Sequence, residues 1–192
     1  MNSIDNQLLL KLNSMVGKNP VVDVLVQLLV NEYFVPVSLS LVLLFMWFGA
    51  KELENLRWKL GAINAAVGVG IVNIIVATSN IFYFRDRPFM HLDVNLLFYR
   101  PTDSSFPSNA AAVAMALAIG ISLHEKRLAP LVLPLAASIG VARVMAGVHY
   151  PSDVLAGWIV GALAAFIALL ITNFLRPFIE RLILAAKNLG LA

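Results

Sequence analysis

Long uncharged apolar runs alternate with short charged segments along most of the 192-residue chain. Leu60–Asn80 and Val154–Leu175 each supply the roughly 20 apolar residues that cross the hydrocarbon core of a bilayer. The segment Pro20–Ala50 is apolar apart from two carboxylates in its first half. We expect it to form either one long tilted helix, bent at Pro36, or two short helices.

Two shorter apolar runs, Asn109–Leu123 and Leu128–Ala142, are joined by a charged turn at 124–127. They predict a helical hairpin whose second helix continues to about Gly147, and their many Ala and Gly residues are typical of interior membrane helices. Met1–Gly17 is amphipathic and predicts a helix in the membrane interface, with no cleavable signal peptide. The pattern therefore predicts a single all-α domain over 1–192, a polytopic membrane bundle of five to six helices plus the interfacial amphipathic N-terminal helix.

The composition agrees with a membrane protein. Hydrophobic residues make up 60% of the chain and charged residues only 13%, whereas an average soluble domain is about 25% charged. This excludes a soluble globule, and it excludes a disordered chain, which would combine low hydrophobicity with high charge. The chain has no cysteine, so a disulfide framework and a thiolate metal site are also excluded.

The basic residues indicate topology and not a nucleic-acid interface, because they stand in short segments between or after the spans. If Pro20–Ala50 is one span, the 51–59 loop, the 124–127 turn and the C-terminal tail share one face. Under the positive-inside rule that face is cytoplasmic and the 81–107 loop and 148–152 turn are extracytoplasmic. The basic residues of the cytoplasmic face are Lys51, Arg57, Lys59, Lys126, Arg127, Arg176, Arg181 and Lys187.

Three polar segments on the second face each adjoin the end of a predicted span: Arg85–Pro88, Ser104–Asn109 and Arg143–Asp153. Helix packing should bring them together. Within the third, Arg143 is either a residue that extends to the membrane surface or a member of an interior site, since its neighbours are small. His149 and Asp153 either mark a simple helix start or form a pair in which the carboxylate fixes the imidazole tautomer.

Ser108 begins the helix at Asn109 and is a normal N-cap residue. The same helix start is an anion site, because its free N–H groups and dipole point at whatever precedes the helix. With Arg87 and Arg143 directed there, phosphate is the natural ligand, since guanidinium groups hold phosphate through paired hydrogen bonds.

These segments resemble the three signature motifs of the type 2 phosphatidic acid phosphatase superfamily of membrane lipid phosphatases. Those motifs read Lys, six residues, Arg-Pro; then Pro-Ser-Gly-His; then Ser-Arg, five residues, His, three residues, Asp. Arg87 and Pro88 match the end of the first motif, and Pro107 and Ser108 the start of the second. The third is matched in order and spacing by Arg143, His149 and Asp153. The resemblance covers about residues 80–157.

Four positions depart from the motifs. The first-motif Lys falls at Asn80, the second-motif Gly and His at Asn109 and Ala110, and the third-motif Ser at Ala142. Asn109 is compatible with the bacitracin-resistance type of undecaprenyl pyrophosphate phosphatase, whose members resemble Phe-Pro-Ser-Asn/Asp-His here. Asn80 removes one phosphate-neutralising charge, which Arg85 would replace only in part.

Ala110 is the departure with the largest chemical consequence. In the family this histidine protonates the leaving oxygen, and alanine has no proton to give. Residues 109–112 would read Asn-His-Ala-Ala if position 110 were histidine, so Ala110 is consistent with a deliberate replacement of that histidine. The alternative is that alanine is the natural residue and that the protein is impaired or a pseudoenzyme. His91, on the same loop, is an alternative proton donor.

The resemblance implies a metal-independent phosphohydrolase without a cofactor, whose partners are a lipid phosphate substrate and the lipids of the cell membrane. Arg87, Ser108 and Arg143 would hold the phosphoryl oxygens, His149 would attack phosphorus to form a phosphohistidine, and Asp153 would fix its tautomer. The motif wording favours a polyprenyl diphosphate. Phosphatidylglycerol phosphate, phosphatidic acid and lipid A phosphate are alternatives, and a non-catalytic lipid-phosphate binder or transporter is the rival from another class.

Overall fold

The apolar runs fold into helices in the computed structural model of the chain, which describes residues 3–49 and 55–188. Lys51 of the predicted cytoplasmic loop and the first two residues of the predicted N-terminal helix lie outside these ranges. Short 3-10 turns cover Pro88–Met90 and Lys126–Leu128. The α-helices of the described residues are α1 (Ser3–Asn13), α2 (Pro20–Val30), α3 (Phe34–Phe48), α4 (Asn55–Phe82), α5 (Asn109–His124), α6 (Ala129–Met145), α7 (Pro151–Phe174) and α8 (Arg176–Asn188).

The predicted all-α membrane bundle is confirmed. Three segments are long and apolar enough to cross a membrane, namely Leu56–Phe82, Lys126–Met145 and Pro151–Phe174, and α2 with α3 makes a fourth if that bent pair is one span. The helix α5 is apolar but has only 16 residues. Six helices, α2 to α7, thus stand between the amphipathic α1 and the terminal α8.

The first span bends earlier in the chain than predicted. The axes of α2 and α3 differ by 56°, and the break lies between Val30 and Phe34 instead of at Pro36. Asn31 causes the new start, because its Oδ1 accepts the backbone N–H groups of Tyr33 at 2.8 Å and Phe34 at 3.2 Å. Pro36 lies in the first turn of α3, where the missing N–H has no helical partner to lose.

The helix α8 was not predicted, because charged residues interrupt its apolar positions and prevent it from reading as a span. Arg176 Nε and Glu180 Oε1 form an i,i+4 pair at 2.7 Å on its exposed side. Ile179 and Ile183 are buried on the other side. An alternation of this kind describes a helix lying along a surface, and not one crossing the bilayer.

The helix α5 forms the centre of the bundle and packs against α4, α6 and α7. Half of its residues are buried around the whole circumference, and most of these are alanine. Gly157 and Gly161 let α7 approach: a Cβ at Gly157 would lie 2.5 Å from the Ser108 carbonyl oxygen, and one at Gly161 would collide with the Ala112 carbonyl. This contact sets the start of α5 against the second and third turns of α7.

The helix α1 lies across the ends of α6 and α7. Asn13 Nδ2 donates to the carbonyl oxygens of Asn95 and Met145, both at 2.8 Å, and Asn13 Oδ1 accepts the N–H of Asn95. This end of the bundle, formed by α1, the 83–108 loop and the 146–150 turn, is called the site face below. The other end, where α4 starts and α5 turns into α6, is called the opposite face.

Candidate active site

His149 lies in the turn between α6 and α7 and is 3% exposed. Its Nδ1 is 2.8 Å from the backbone carbonyl oxygen of Ser105, and its Nε2 is 3.1 Å from Arg87 Nη1. A guanidinium can only donate and a carbonyl can only accept, so these two neighbours require the same tautomer. The proton is on Nδ1, and the lone pair is on Nε2.

The environment keeps this imidazole neutral. Burial lowers the pKa of His149 to about 4, and the positive charges of Arg87 and Arg143 act in the same direction against the opposing Asp153 carboxylate. At neutral pH the Nε2 lone pair is therefore free of a proton. An uncharged imidazole with a protonated nitrogen held in place and an unprotonated nitrogen that accepts only from Arg87 is suited to act as a nucleophile once a ligand displaces that contact.

Arg87 is 5% exposed and is held rigidly by the 83–108 loop and the α6–α7 turn. Its Nη1 donates to the Val148 carbonyl at 3.0 Å as well as to His149. Its Nε donates to the Asp103 carbonyl at 3.1 Å, and its Nη2 pairs with Asp103 Oδ1 at 2.8 Å. The Asp103 side chain is 64% exposed, so an incoming anion can replace it on the guanidinium.

Three buried polar atoms near His149 have no partner in the described part of the chain: Arg143 Nε, Ser108 Oγ and Asn80 Oδ1. Ser108 is the N-cap residue of α5, but its hydroxyl makes no capping bond. Arg143 is 3% exposed, its Nη2 is 3.6 Å from Glu32 Oε1, and its guanidinium lies 4.8 Å from the centre of the Phe98 ring. Unpartnered buried polar atoms of this kind require an explanation, and a bound ligand is one.

A cavity of about 410 Å³ lies between these groups. Six of the nine residues predicted for the site line it: Asn80, Arg87, Asn109, Ala110, Arg143 and His149. The first turn of α5 faces it, so the N–H groups and the dipole of that helix add to the two guanidinium charges. The arrangement can hold an anionic group such as phosphate beside the Nε2 lone pair, with room left in the cavity.

Asp153 is fully buried, but it is not the direct partner of the imidazole. Its Oδ2 lies 3.8 Å from His149 Nδ1 and accepts instead from Ser105 Oγ at 2.5 Å and the Tyr150 N–H at 2.9 Å. Its Oδ1 pairs with Arg85 Nη1 at 2.5 Å. Asp153 thus reaches the histidine through Ser105, and its predicted role in fixing the tautomer stays a prediction.

Arg85 does not line the cavity. Besides Asp153 it contacts Asp5 of α1, which the structure places 2.8 Å from Arg85 Nη2. The structure therefore brings Arg85 to the back of the site and not to the position that a lysine at Asn80 would occupy. Its predicted part in phosphate binding stays a prediction.

The proton donor expected at position 110 has no replacement among the histidines. Ala110 presents a methyl group to the cavity. His91 is half exposed, 3.0 Å from Asp86, and is not among the lining residues. His124 lies at the opposite face, where its Nδ1 is 3.2 Å from the Gly120 carbonyl.

The sequence did not single out several residues of the cavity wall. Glu32 reaches it because the first span breaks beside it, and Tyr99 donates its hydroxyl to Glu32 Oε1 at 2.7 Å. A carboxylate inside an otherwise apolar run was the available signal for Glu32. Ser105 orients His149 through its backbone carbonyl, which carries no sequence signature.

Two solved structures resemble this fold. The crystal structure of LpxE from Aquifex aeolicus matches with a TM-score of 0.71 and 27% identity, over 88% of this chain and 96% of that one. The PAP2 type phosphatidylglycerolphosphate phosphatase of Bacillus subtilis matches with a TM-score of 0.62 over 89% and 85% of the two chains. At 20% identity, the second likeness concerns the fold alone.

Two relatives share much of the sequence. The undecaprenyl-diphosphatase BcrC of Bacillus subtilis is 28% identical over 156 residues, which cover 81% of this chain and 78% of the relative. A Bacillus licheniformis protein named bacitracin transport permease protein BcrC is 34% identical over 148 residues, covering 77% and 68%. The sequence profile of the PAP2 superfamily matches residues 61–177, which include every helix that lines the cavity except α3. The chain therefore belongs to the PAP2 superfamily, a family of membrane lipid phosphatases.

Proposed function

We propose that the protein hydrolyses a polyprenyl diphosphate, such as undecaprenyl diphosphate, through a phosphohistidine on His149. The observation that carries the proposal is the neutral, buried imidazole whose Nε2 lone pair faces the cavity between Arg87 and Arg143. The names of relatives in Bacillus subtilis and Sulfolobus acidocaldarius, both undecaprenyl-diphosphatases, support this substrate over the other lipid phosphates.

In the proposed reaction, the terminal phosphoryl group enters beside Nε2 and takes over the hydrogen bond that Arg87 now makes there. Nε2 attacks phosphorus, the bond from phosphorus to the bridging oxygen breaks, and the lipid monophosphate leaves. Arg87, Arg143 and the start of α5 stabilise the charge on the phosphoryl oxygens in the transition state. Water then attacks the phosphohistidine, releases inorganic phosphate and restores the imidazole.

Ala110 bears on the substrate because it cannot protonate the leaving oxygen. A lipid alkoxide leaves poorly without a proton, whereas the monophosphate released from a diphosphate is far less basic. We therefore infer that the chain turns over slowly on all lipid phosphates, and that the loss caused by Ala110 is smallest on a diphosphate.

The test is phosphate release by the chain and by Ala110→His, with His149→Ala in both backgrounds. General acid catalysis contributes about 10²–10⁴-fold, so Ala110→His should raise turnover by that order and His149→Ala should abolish it. Hydrolysis should survive EDTA, and a radiolabelled terminal phosphate should remain on protein quenched in alkaline SDS and be lost on acid treatment, because the P–N bond of a phosphohistidine is stable in base and labile in acid. If Ala110→His binds lipid phosphate but releases none, the chain is a binder and the proposal is wrong.

The choice of substrate is tested by the leaving group. Relative to Ala110→His, the chain should lose more kcat/KM on phosphatidic acid and phosphatidylglycerol phosphate than on undecaprenyl diphosphate. An equal loss on all three substrates would contradict the leaving-group argument.

We also propose that the site face is extracytoplasmic in the cell membrane, because the basic residues of the short connections gather at the opposite face. The chain has no cysteine, so a single cysteine can be introduced at a chosen position. Met90→Cys, on the exposed 83–108 loop, should react with a membrane-impermeant maleimide on intact cells, and Lys126→Cys should not. The reverse labelling would contradict the orientation.

A further inference from the structure

The inner face of α1 carries a carboxylate that belongs to none of the three motifs. Asp5 is 8% exposed and shares that face with Leu9 and Asn13, at spacings of four residues that keep side chains on one side of a helix. Ile4 and Leu8 are exposed on the other side, at 66% and 47%. The helix therefore turns Ile4 and Leu8 outward and buries Asp5 against the bundle beside the apolar Leu9.

Asp5 binds the first turn of α7 and the loop before α5 together. Its Oδ1 accepts the backbone N–H of Ser152 at 3.0 Å, and its Oδ2 accepts the Ser152 hydroxyl at 2.5 Å and Arg85 Nη2 at 2.8 Å. Burial raises the pKa of Asp5, but the hydrogen bonds from Ser152 and Arg85 outweigh it, and the pKa ends below its ordinary value. Asp5 is thus a charged, fully engaged acceptor.

Arg85 passes this contact on to the buried carboxylate of the site. Its Nη1 pairs with Asp153 Oδ1 at 2.5 Å and donates to Ser152 Oγ at 2.7 Å, while the guanidinium lies 4.1 Å from the centre of the Tyr150 ring. The planar guanidinium of an arginine has donors in fixed directions and so holds two carboxylates at a set separation, whereas the ammonium of a lysine does not. Asp5 and Asp153 are therefore fixed relative to each other through one side chain.

The last step leads from Asp153 to the imidazole. Asp153 Oδ2 accepts the Ser105 hydroxyl, and the Ser105 carbonyl accepts the Nδ1 proton of His149. The Ser105 N–H in turn donates to the Arg85 carbonyl at 2.9 Å. Arg85 therefore holds Ser105 twice, directly through its backbone carbonyl and through its side chain by way of Asp153. An unbroken series of contacts joins α1 to the reactive ring.

We propose that Asp5 is a positioning residue for the reaction at His149, acting through Arg85 and Asp153 to keep Nε2 aimed at the cavity. Asp5 does not line the cavity, so it touches neither phosphate nor the reacting atoms. Its loss should lower kcat more than it changes KM. The expected fall in kcat rests on the proposed phosphatase function, whereas the expected change at the His149 ring does not.

The experiment is a double-mutant cycle of Asp5→Asn and Arg85→Met in the Ala110→His protein, assayed for phosphate release from undecaprenyl diphosphate. A misplacement of about 1 Å at a reacting group costs on the order of 10²-fold, so Asp5→Asn should lower kcat by about 10- to 100-fold. Because Asp5 acts through Arg85, the same substitution should have no further effect in the Arg85→Met background. Equal effects in both backgrounds would overturn the proposal.

Asn13→Ala is the matched control on the same helix face. It removes the hydrogen bonds that hold α1 to Asn95 and Met145 but leaves the Arg85 contacts in place. It should keep kcat within about twofold, since its site is separate from the Asp5 series. If Asn13→Ala reproduces the loss seen with Asp5→Asn, Asp5 only docks the helix and the proposal is wrong.

A second readout needs no turnover. The ring ¹⁵N shifts of His149, assigned with His149→Gln, report which nitrogen carries the proton. Asp5→Asn should move them away from the pure Nδ1–H form, and Asn13→Ala should not. If no variant hydrolyses any lipid phosphate, the proposed function fails and these shifts alone decide the role of Asp5; unchanged shifts then overturn it.

Arg85→Lys covers the case in which Asp5→Asn does not fold. It keeps the charge but loses the fork that reaches Asp5 and Asp153 at once. It should show the same fall in kcat and the same change in the His149 shifts. Full activity in a folded Arg85→Lys protein would overturn the proposal.

Discussion

Each end of the helix bundle buries a carboxylate at a helix junction, Glu125 at the opposite face and Asp153 at the site face. Glu125 accepts from Arg57 Nη2 at 2.7 Å, Trp58 Nε1 at 3.0 Å and the N–H of Arg127 at 3.1 Å. The backbone N–H of Arg127, followed by Trp58, holds the pKa of Glu125 below its ordinary value. Glu125 thus joins the start of α4 to the turn between α5 and α6.

Both carboxylate oxygens of Asp153 also have hydrogen-bond partners, but other buried polar atoms that the structure describes at the site face do not. At the same face, Ser108 Oγ, Arg143 Nε and Asn80 Oδ1 are buried without partners in the described part of the chain. Each such atom costs about 1–3 kcal/mol, and folds tolerate the cost at functional sites. The comparison teaches that burial alone does not mark a site. Among the described residues, unpartnered buried atoms also occur away from the site, as at Asn64, so it is their position around one cavity, and not their presence, that favours a ligand at the site face.

Glutamine substitutions at the two faces, His149→Gln and Glu125→Gln, should separate a catalytic role from a structural role. His149→Gln has the largest expected effect. His149→Gln keeps a donor near the Ser105 carbonyl but removes the nucleophile, and loss of a catalytic nucleophile costs about 10⁶-fold in kcat. Arg87 and Asp153 remain bonded to other groups, so the melting temperature in detergent should change little. Phosphate release and thermal unfolding measure the two effects, and a folded His149→Gln protein with undiminished turnover would refute the nucleophile assignment.

The arginines of the two faces offer the next largest contrast. Arg143→Met should lower kcat/KM by about 10²–10³-fold, because one donor to the charged transition state is lost. Arg57→Met, its control at the opposite face, should leave kcat/KM within a few-fold and lower stability instead. Both are read from initial rates on undecaprenyl diphosphate. Comparable losses of activity in the two variants would erase the distinction between the faces.

The same two faces differ in how far the sequence predicts them. The third motif places Arg143, His149 and Asp153 together because they lie on consecutive turns of chain between α6 and α7, and helix packing adds Arg87 and the start of α5. Apolar runs likewise predict α4 to α7. These parts depend on spacing and hydrophobicity, which are local properties of the sequence.

The remainder depends on long-range contacts that spacing does not encode. Asp5 and Arg85 stand 80 residues apart, and nothing in either neighbourhood predicts their pairing. Ser105 acts through a backbone carbonyl, which every residue has. The bend at Asn31 needs a side-chain bond to Tyr33 in an otherwise continuous apolar segment, and α8 alternates charged and apolar residues too closely to read as a span.

Glu125→Gln tests the structural role of the opposite face, and its expected effect is smaller than those of His149→Gln and Arg143→Met. Gln keeps the shape but weakens three charge-assisted hydrogen bonds, so the free energy of unfolding should fall by about 1–3 kcal/mol. Turnover per folded molecule should not change. Unfolding in mixed micelles with rising SDS measures the first quantity and phosphate release the second; a large loss of kcat at full stability would contradict a purely structural role.

The smallest expected effect is the response of His149 to mild acid. Burial lowers its pKa to about 4, so at about pH 5.5 the ring should remain almost wholly neutral, whereas an ordinary histidine with a pKa near 6.5 would be about 90% protonated. The ring is best titrated directly by NMR, because a terminal phosphate itself titrates near pH 6. Half-protonation of His149 above about pH 6 would contradict the lowering of its pKa by burial.

The same lowered pKa fixes the sign of a stability effect. Between about pH 6.5 and pH 4 the unfolded chain binds a proton at His149 and the folded protein does not, so stability from this group falls as the pH falls through that window. His149→Gln removes the titrating group, and the variant should lose less stability than its parent between neutral pH and about pH 4.5. The pKa of Glu125 is lowered, so its contribution to stability is lost only as the pH falls through about 4.5 and below; the Glu125→Gln curve should therefore run parallel to its parent's above about pH 5.5. Parallel stability curves for His149→Gln and its parent would mean that the imidazole is not held neutral, and the contrast between the faces would then rest on the unpartnered atoms alone.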